Sequence, residues 1–381
     1  MWLAMPDERP NIQRLHAYVP GEQPGYRETL GGGDFGDGSV KLNSNENPYP
    51  PSDAVMQASR GRSPEALRLY PPADAAEFRQ TAGKLHGLSA QHVIATNGGD
   101  ELLRLLITVY CPPATDSVSA GGGIGMTDPS YTLYPVLAHI QDTPVTVVPR
   151  EGDQFRLPAD YAQQLNDAGC QLAFIVNPHA PTGQLESLET LRKLAADFDG
   201  ILVIDEAYVD FAPHNALPLL HDGSENVVIL RSMSKGYSLA GLRFGYGLAS
   251  PAVIGTLDKA RDSYNTDILG QAAAAAALRD QTYAQSTWDR TIAERNRLAA
   301  ALRERGFVVR DSHTNFVLAA VPGGDQQSPD EQAKTIYEAL KQNSVLIRYF
   351  SKPRLTDKLR ITVGTPAQND QLLRILDSVL P

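Results

Sequence analysis

Cysteine is nearly absent from this chain of 381 residues, with only Cys111 and Cys170, far apart in sequence. That excludes a disulfide framework and points to a reducing cytoplasm. No window holds 18 apolar residues free of charge, so no membrane-spanning helix is expected. The opening MWLAMPDERPNIQRLHAY has neither a basic start nor a long apolar core, so no secretory signal is expected. Positive charge is in deficit: 34 Lys and Arg stand against 44 Asp and Glu, a net charge of −10. Such a surface attracts neither nucleic acid nor anionic membrane. Any anionic substrate must then be held by local arginines. The eight histidines are scattered, with no H-x-x-x-H and no paired Cys/His spacing, which leaves no pattern for catalytic zinc.

What is present describes an ordinary globular protein, 42% hydrophobic and 20% charged, long enough for two or more domains. From HVIAT (92–96) onward, short apolar runs alternate with helical patterns. DELLRLLITVY (100–110) is amphipathic. LAFIVN (172–177), ILVID (201–205), VVILR (227–231) and FGYGLA (244–249) read as buried strands, with a helix near 187–197. This is an α/β pattern, a mostly parallel sheet covered on both faces. Ligands of such sheets sit at the carboxyl ends of the strands. After about residue 266 the rhythm changes to long helices and short strands, a smaller α+β unit. The expected organisation is an N-terminal arm, 1–43, which also joins the small domain, a large domain over 44–265, and a C-terminal small domain over 266–381. GGGDFGDGSV (31–40) and AGGGIGM (120–126) both read as glycine-rich loops without chemistry of their own.

Three segments carry possible chemistry. In TNGGDE (96–101), between a strand and a helix, Gly98 and Gly99 leave backbone N–H groups open at a positive helix end, which suits a phosphate or a plain helix cap. In VIDEAYVDF (203–211), Asp205 ends an apolar strand, where a carboxylate needs a cationic partner such as a protonated ring nitrogen, or serves as a structural cap or a metal carboxylate. In ILRSMSKGYSLAGLRFGYG (229–247), Lys235 follows a strand among Ser232 and Ser234, with Arg243 eight residues on. Its amine should lose its proton more readily than a solvated lysine, unless it merely snorkels. A phosphate cup, a strand-end aspartate, a lysine and an arginine occur in this order on one sheet. Together these are the parts that pyridoxal 5′-phosphate (PLP) requires.

The sequence resembles the fold-type I PLP aminotransferases, and among them the histidinol-phosphate aminotransferase family, over nearly its whole length. The resemblance is carried by LHAYVPGEQP (15–24), LNSNENPYPPS (42–52), RLYPPA (68–73), SMSKGYSLAGLR and VLIRYFSKPRLTDKLRITVGT. It implies that the large domain binds PLP and that Lys235 forms the Schiff base and moves the substrate proton. Asp205 would pair with the ring nitrogen, Tyr208 would hydrogen-bond the ring's phenolic oxygen and Tyr131 would stack on the ring. Gly99, Asp100, Ser232, Ser234 and Arg243 would hold the phosphate. Tyr70 would reach a neighbouring subunit's phosphate, implying a homodimer with shared sites. Arg360, with Arg348 and Tyr18, would bind the anionic groups of the substrate. One departure stands out. NPHAPTG (177–183) has Ala180 where the family usually places an asparagine on the phenolic oxygen, and Asn177 or His179 is the candidate replacement. The implied reaction transfers the amino group of L-histidinol phosphate to 2-oxoglutarate. The alternatives are an aromatic or broad-specificity aminotransferase, a phosphothreonine decarboxylase-like activity, and a cofactor-binding regulator or catalytically silent paralogue. Such regulators usually carry a DNA-binding module, for which this acidic chain is expected to have no spare segment, and the presence of Lys235 argues against a silent paralogue.

Overall fold

Apolar runs of four to six residues build the strands that carry the site. The computed structural model describes residues 7–18, 22, 39–61, 63–113, 122–323 and 327–380. In chain order its strands are β1 (Val40–Lys41), β2 (Val93–Thr96), β3 (Ile124–Asp128), β4 (Val145–Pro149), β5 (Leu172–Val176), β6 (Ile201–Asp205), β7 (Val227–Ser232), β8 (Gly245–Ala249), β9 (Val308–Val309), β10 (Phe316–Ala320), β11 (Val345–Leu346), β12 (Arg348–Tyr349) and β13 (Lys358–Thr362). A seven-stranded sheet has the order β2-β8-β7-β6-β5-β3-β4. Strands β3 to β7 pair in parallel, and β8 runs antiparallel to both β7 and β2. Apolar side chains on both faces of this sheet enter two buried clusters, one centred on Ile175, Ile204 and Ile229 and the other on Phe174, Val203 and Val228.

The reversed strand positions the site. Gly245, the first residue of β8, is the register partner of Thr96 at the end of β2 and of Ser232 at the end of β7. The segment entering β8 therefore arrives at the edge where β2, β6 and β7 finish. The helix Gly98–Tyr110 starts at the same edge. Its first turn lies so close to β8 that a Cβ on Gly245 would fall 2.7 Å from backbone atoms of Gly98 and Gly99.

A second sheet, β12-β13-β10-β9, is antiparallel throughout. It has its own core, including Val317, Ile336, Leu340 and Ile361. The N-terminal segment packs into the same core through a separate two-stranded sheet: Val40 and Lys41 pair in parallel with Val345 and Leu346. The helix Gln281–Glu304 links the cores, with Trp288 in one and Leu298 and Leu302 in the other. The alanine-rich helix Ile268–Arg279 buries Ala272 to Ala275. Small side chains there let it pack against the helices Asp53–Arg60 and Ala76–Leu85.

One expectation needs correction. Residues 120–126 are not all loop: beyond Gly122 and Gly123 the chain enters β3. Ile124 and Met126 are core residues, and Gly125 is bare because a Cβ would meet Leu165 Cδ1 at 2.4 Å. Residues 120 and 121, like residues 31–38 of the first glycine-rich segment, lie outside the described residues. The segment VLIRYF (345–350) is divided between two sheets. β11 pairs with β1 and β12 with β13. Among the described residues no helix is long and apolar enough to cross a membrane.

Because Gly245 is pressed against the helix start, Gly245→Ala is expected to lower the thermal unfolding midpoint by the equivalent of about 1–3 kcal/mol, the usual cost of overpacking. Differential scanning calorimetry against the unsubstituted protein checks this.

Candidate active site

The edge where β2, β6 and β7 end opens into a cavity of about 500 Å³. Lys235 lines it, three residues beyond β7. Its Nζ donates to the carbonyl of Ser44 at 2.9 Å. Burial is the main force lowering its pKa to about 8, opposed by Glu46 and assisted by Arg360, Lys41 and Arg243. The amine is thus partly neutral near pH 7 and able to attack a carbonyl carbon. The loop bearing it is held firmly. The Gly236 carbonyl accepts from the indole Nε1 of Trp288 at 2.8 Å and from Asn47 Nδ2 at 3.1 Å.

Asp205, the last residue of β6, is 4% exposed. Its oxygens accept from the Tyr134 hydroxyl at 2.7 Å and from the Ala207 N–H at 3.0 Å. No cationic side chain pairs with it among the described residues. Burial therefore pushes its pKa up to about 6, against the pull of those two donors. A protonated ring nitrogen would supply the missing charge. Tyr208 also faces the cavity, packed edge-on against Phe316.

At the cup, Arg243 reaches the helix start and pairs with Asp100 at 3.2 Å. The fit explains Gly98: a Cβ there would stand 2.8 Å from Arg243 Nη2. Asn97, at the N-cap, makes no side-chain capping bond, so it leaves the first-turn N–H groups available to an anion. Gly99, Ser232 and Ser234 line the same end, and the Ser232 hydroxyl accepts from the Ser234 N–H at 3.2 Å. Tyr131 donates to Asp100 at 3.3 Å and meets Tyr18 edge-on. Burial raises the pKa of Tyr131.

The opposite wall comes from the second sheet. Arg348 on β12 and Arg360 on β13 are direct register partners. Arg360 donates to the Asn43 carbonyl at 3.1 Å, while its buried Nε has no partner. Burial is the chief cause of its lowered pKa, with Arg348 adding to it. Like charges in register repel unless an anion joins them. Among the described residues neither arginine pairs with a carboxylate.

A lysine, a carboxylate short of a cation, an open helix start and two unpaired arginines around one cavity match PLP bound to an anionic amine. The family model for aminotransferase class I and II matches residues 37–376. The chain belongs to this aminotransferase family. Among curated relatives it is 41% identical to histidinol-phosphate aminotransferase 1 of Trichormus variabilis over 372 residues, 98% of each chain. It is 38% identical to the histidinol-phosphate aminotransferase of Geobacter sulfurreducens, covering 97% of this chain and 99% of that one. Among solved structures it is similar to histidinol-phosphate aminotransferase from Sinorhizobium meliloti in complex with pyridoxal-5′-phosphate, with a TM-score of 0.85, 25% identity and coverage of 99% and 98%.

The aminotransferase cavity gathers every expected site residue except Asn177 and Tyr70. Asn177 is fully buried in a turn of its own. Its side chain accepts from the Glu186 N–H at 2.8 Å and faces the Glu186 carbonyl. His179 is equally committed, to Thr182 at 2.8 Å and to the Pro129 carbonyl at 3.0 Å. Neither replaces the amide absent at Ala180, which itself lines the cavity. Tyr70 is 80% exposed and stacks on Tyr264, beside exposed Leu67 and Leu69. Sequence reasoning missed Asn45, Asn47, Tyr134 and Trp288. The two asparagines lie in LNSNENPYPPS (42–52), where nothing in the local pattern marks their distant partners. Tyr134, three residues beyond Tyr131 and in the first turn of the helix Leu133–Ile140, sits close enough in sequence for that spacing to show it. Trp288 had no such signal.

Asp205 supplies a signed prediction. Its raised pKa means a stability contribution present below about pH 4 and lost as pH rises through about 6. In the cofactor-free protein, Asp205→Asn should therefore raise stability at pH 7 by up to about 3 kcal/mol and make little difference at pH 4. Urea unfolding at the two pH values checks this, and a gain at pH 4 equal to that at pH 7 would contradict it.

Proposed function

We propose that this aminotransferase uses PLP to transfer the amino group of L-histidinol phosphate to 2-oxoglutarate, as a cytoplasmic homodimer. The observation that carries the proposal is the pairing of walls: Lys235 and Asp205 on one side, two unpaired arginines in register on the other. PLP, when bound, draws electrons away from the carbon that bears the amino group. Lys235 would hold PLP covalently, give way to the incoming amine, then take the proton from that carbon and deliver it to the neighbouring position. A pKa near 8 suits both directions of that transfer. Asp205 would keep the ring nitrogen protonated. Arg243, the Gly98–Tyr110 helix start and the serines would hold the phosphate. Tyr131 would cover the ring face.

Arg348, Arg360 and Tyr18 would take the substrate's phosphate and the carboxylates of 2-oxoglutarate in turn. A substrate with a phosphate suits two adjacent guanidiniums better than a single carboxylate does. The names of the curated relatives support the same substrate. The exposed Leu67, Leu69 and Tyr70, beside Tyr264, form an apolar patch that supports a second subunit there, with Tyr70 reaching the partner's phosphate site. Two free, buried cysteines suit a reducing compartment.

Visible absorbance tests the reading. The PLP-loaded protein should lose its colour with histidinol phosphate and regain it with 2-oxoglutarate. A response to phenylalanine alone would move the substrate to the aromatic class, and release of carbon dioxide would replace transamination with decarboxylation. Arg348→Gln should raise KM for histidinol phosphate about tenfold or more, the worth of one charge-assisted bond, with a much smaller change in kcat. Steady-state kinetics checks this, and an unchanged KM would remove Arg348 from substrate binding.

A further inference from the structure

Tyr208 has one phenolic proton, and its neighbours decide where that proton points. Asn45 adopts a left-handed conformation, φ 56°, and is 2% exposed. Its backbone N–H donates to Thr362 Oγ1 at 2.9 Å, and its carbonyl accepts from Asn315 Nδ2 at 2.8 Å. The main chain of Asn45 is thus tied to the second sheet on both sides. The Thr362 hydroxyl is buried and must place its own proton. It donates to Asn45 Oδ1 at 3.1 Å. With the amide oxygen taken, the amide nitrogen turns to Tyr208 and donates to its hydroxyl oxygen at 3.0 Å. Reversing the amide would strand the Thr362 proton in a buried place, which is costly. The Tyr208 oxygen therefore receives a proton from Asn45. Its own O–H finds no acceptor among the described residues and is left for the cavity that Tyr208 lines.

We propose that Thr362 and Asn45 form a relay that aims the Tyr208 proton at the phenolic oxygen of PLP, in place of the amide that Ala180 lacks. The inference rests on the reading of the cavity as a PLP site. Asn45 and Thr362 are positioning residues that act only through Tyr208. Thr362 lies two residues beyond Arg360 on β13. The strand that would hold the substrate's anion thus also sets the direction of the donor to the cofactor. A donor at the phenolic oxygen stabilises negative charge there. It favours the deprotonated form of the Lys235 linkage and lowers the pH at which the visible absorbance changes.

The test is a pH titration of that absorbance in the PLP-loaded protein. Asn45→Asp keeps the shape but replaces the N–H₂ donor with an acceptor, so the Tyr208 proton turns away from the cavity. The midpoint should rise by about one unit, the scale of a hydrogen bond to a charged group. Thr362→Val frees the amide to rotate and should shift the midpoint the same way, which keeps the test open should Asn45→Asp fail to fold. Tyr208→Phe should raise the midpoint too, and adding Asn45→Asp to it should bring no further shift. Unmoved midpoints in Asn45→Asp and Thr362→Val overturn the relay. So does full additivity with Tyr208→Phe, the result that a through-space charge would give. Absence of a visible band in the unsubstituted protein with PLP overturns the cofactor site as well; a normal band with unmoved midpoints overturns the relay alone.

Discussion

A buried carboxylate without a cation is the constraint around which this molecule is arranged. Asp205 ends a central strand, where its two hydrogen bonds, from Tyr134 and the Ala207 N–H, do not offset desolvation. A fold selected for stability alone would place an apolar residue there. The same withdrawal from water disfavours the charged form of Lys235 across the cavity. Both departures are costs to the protein alone, and on the proposed reading both would vanish on binding a group that carries a positive ring nitrogen and a carbonyl carbon. The site is then a set of unmet electrostatic demands that one cofactor would meet together.

Topology turns those demands into geometry. Reversal of β8 delivers Arg243 to the helix start beside β2, so the proposed phosphate donors from two distant sequence segments converge. The second sheet brings Arg348 and Arg360 into register on the far wall. Strand β1, Val40–Lys41, pairs with β11 of the C-terminal unit, and the next few residues carry Ser44, Asn45 and Asn47 into contact with Lys235, Tyr208 and Gly236. The two walls are thus joined by hydrogen bonds through the site itself as well as by the helix Gln281–Glu304.

Much of this was legible in the sequence, and the exceptions have physical reasons. β2, β5, β6 and β7 announce themselves because buried parallel strands are continuous apolar runs. Lys235, Asp205 and Arg243 are legible because each is a charge beside such a run. The strand at Ile124–Asp128 was hidden by glycines, each bare for its own reason: a Cβ on Gly125 would meet Leu165, one on Gly123 the Pro144 carbonyl and one on Gly122 the Gln171 side chain. Asn177 and His179 looked available because a turn in sequence does not display its internal bonds, and this one closes on Glu186, Thr182 and Pro129. The role of Asn45 depends on a left-handed backbone and on partners more than 160 residues away, information that local pattern does not hold.

The most direct test of the central claim, that Lys235 is the covalent anchor of the cofactor, is borohydride reduction of the PLP-loaded protein followed by peptide mass mapping. The account predicts a single stoichiometric pyridoxyl adduct on the peptide containing Lys235, lost in Lys235→Ala. An adduct on another lysine, or none while PLP stays bound, would contradict it.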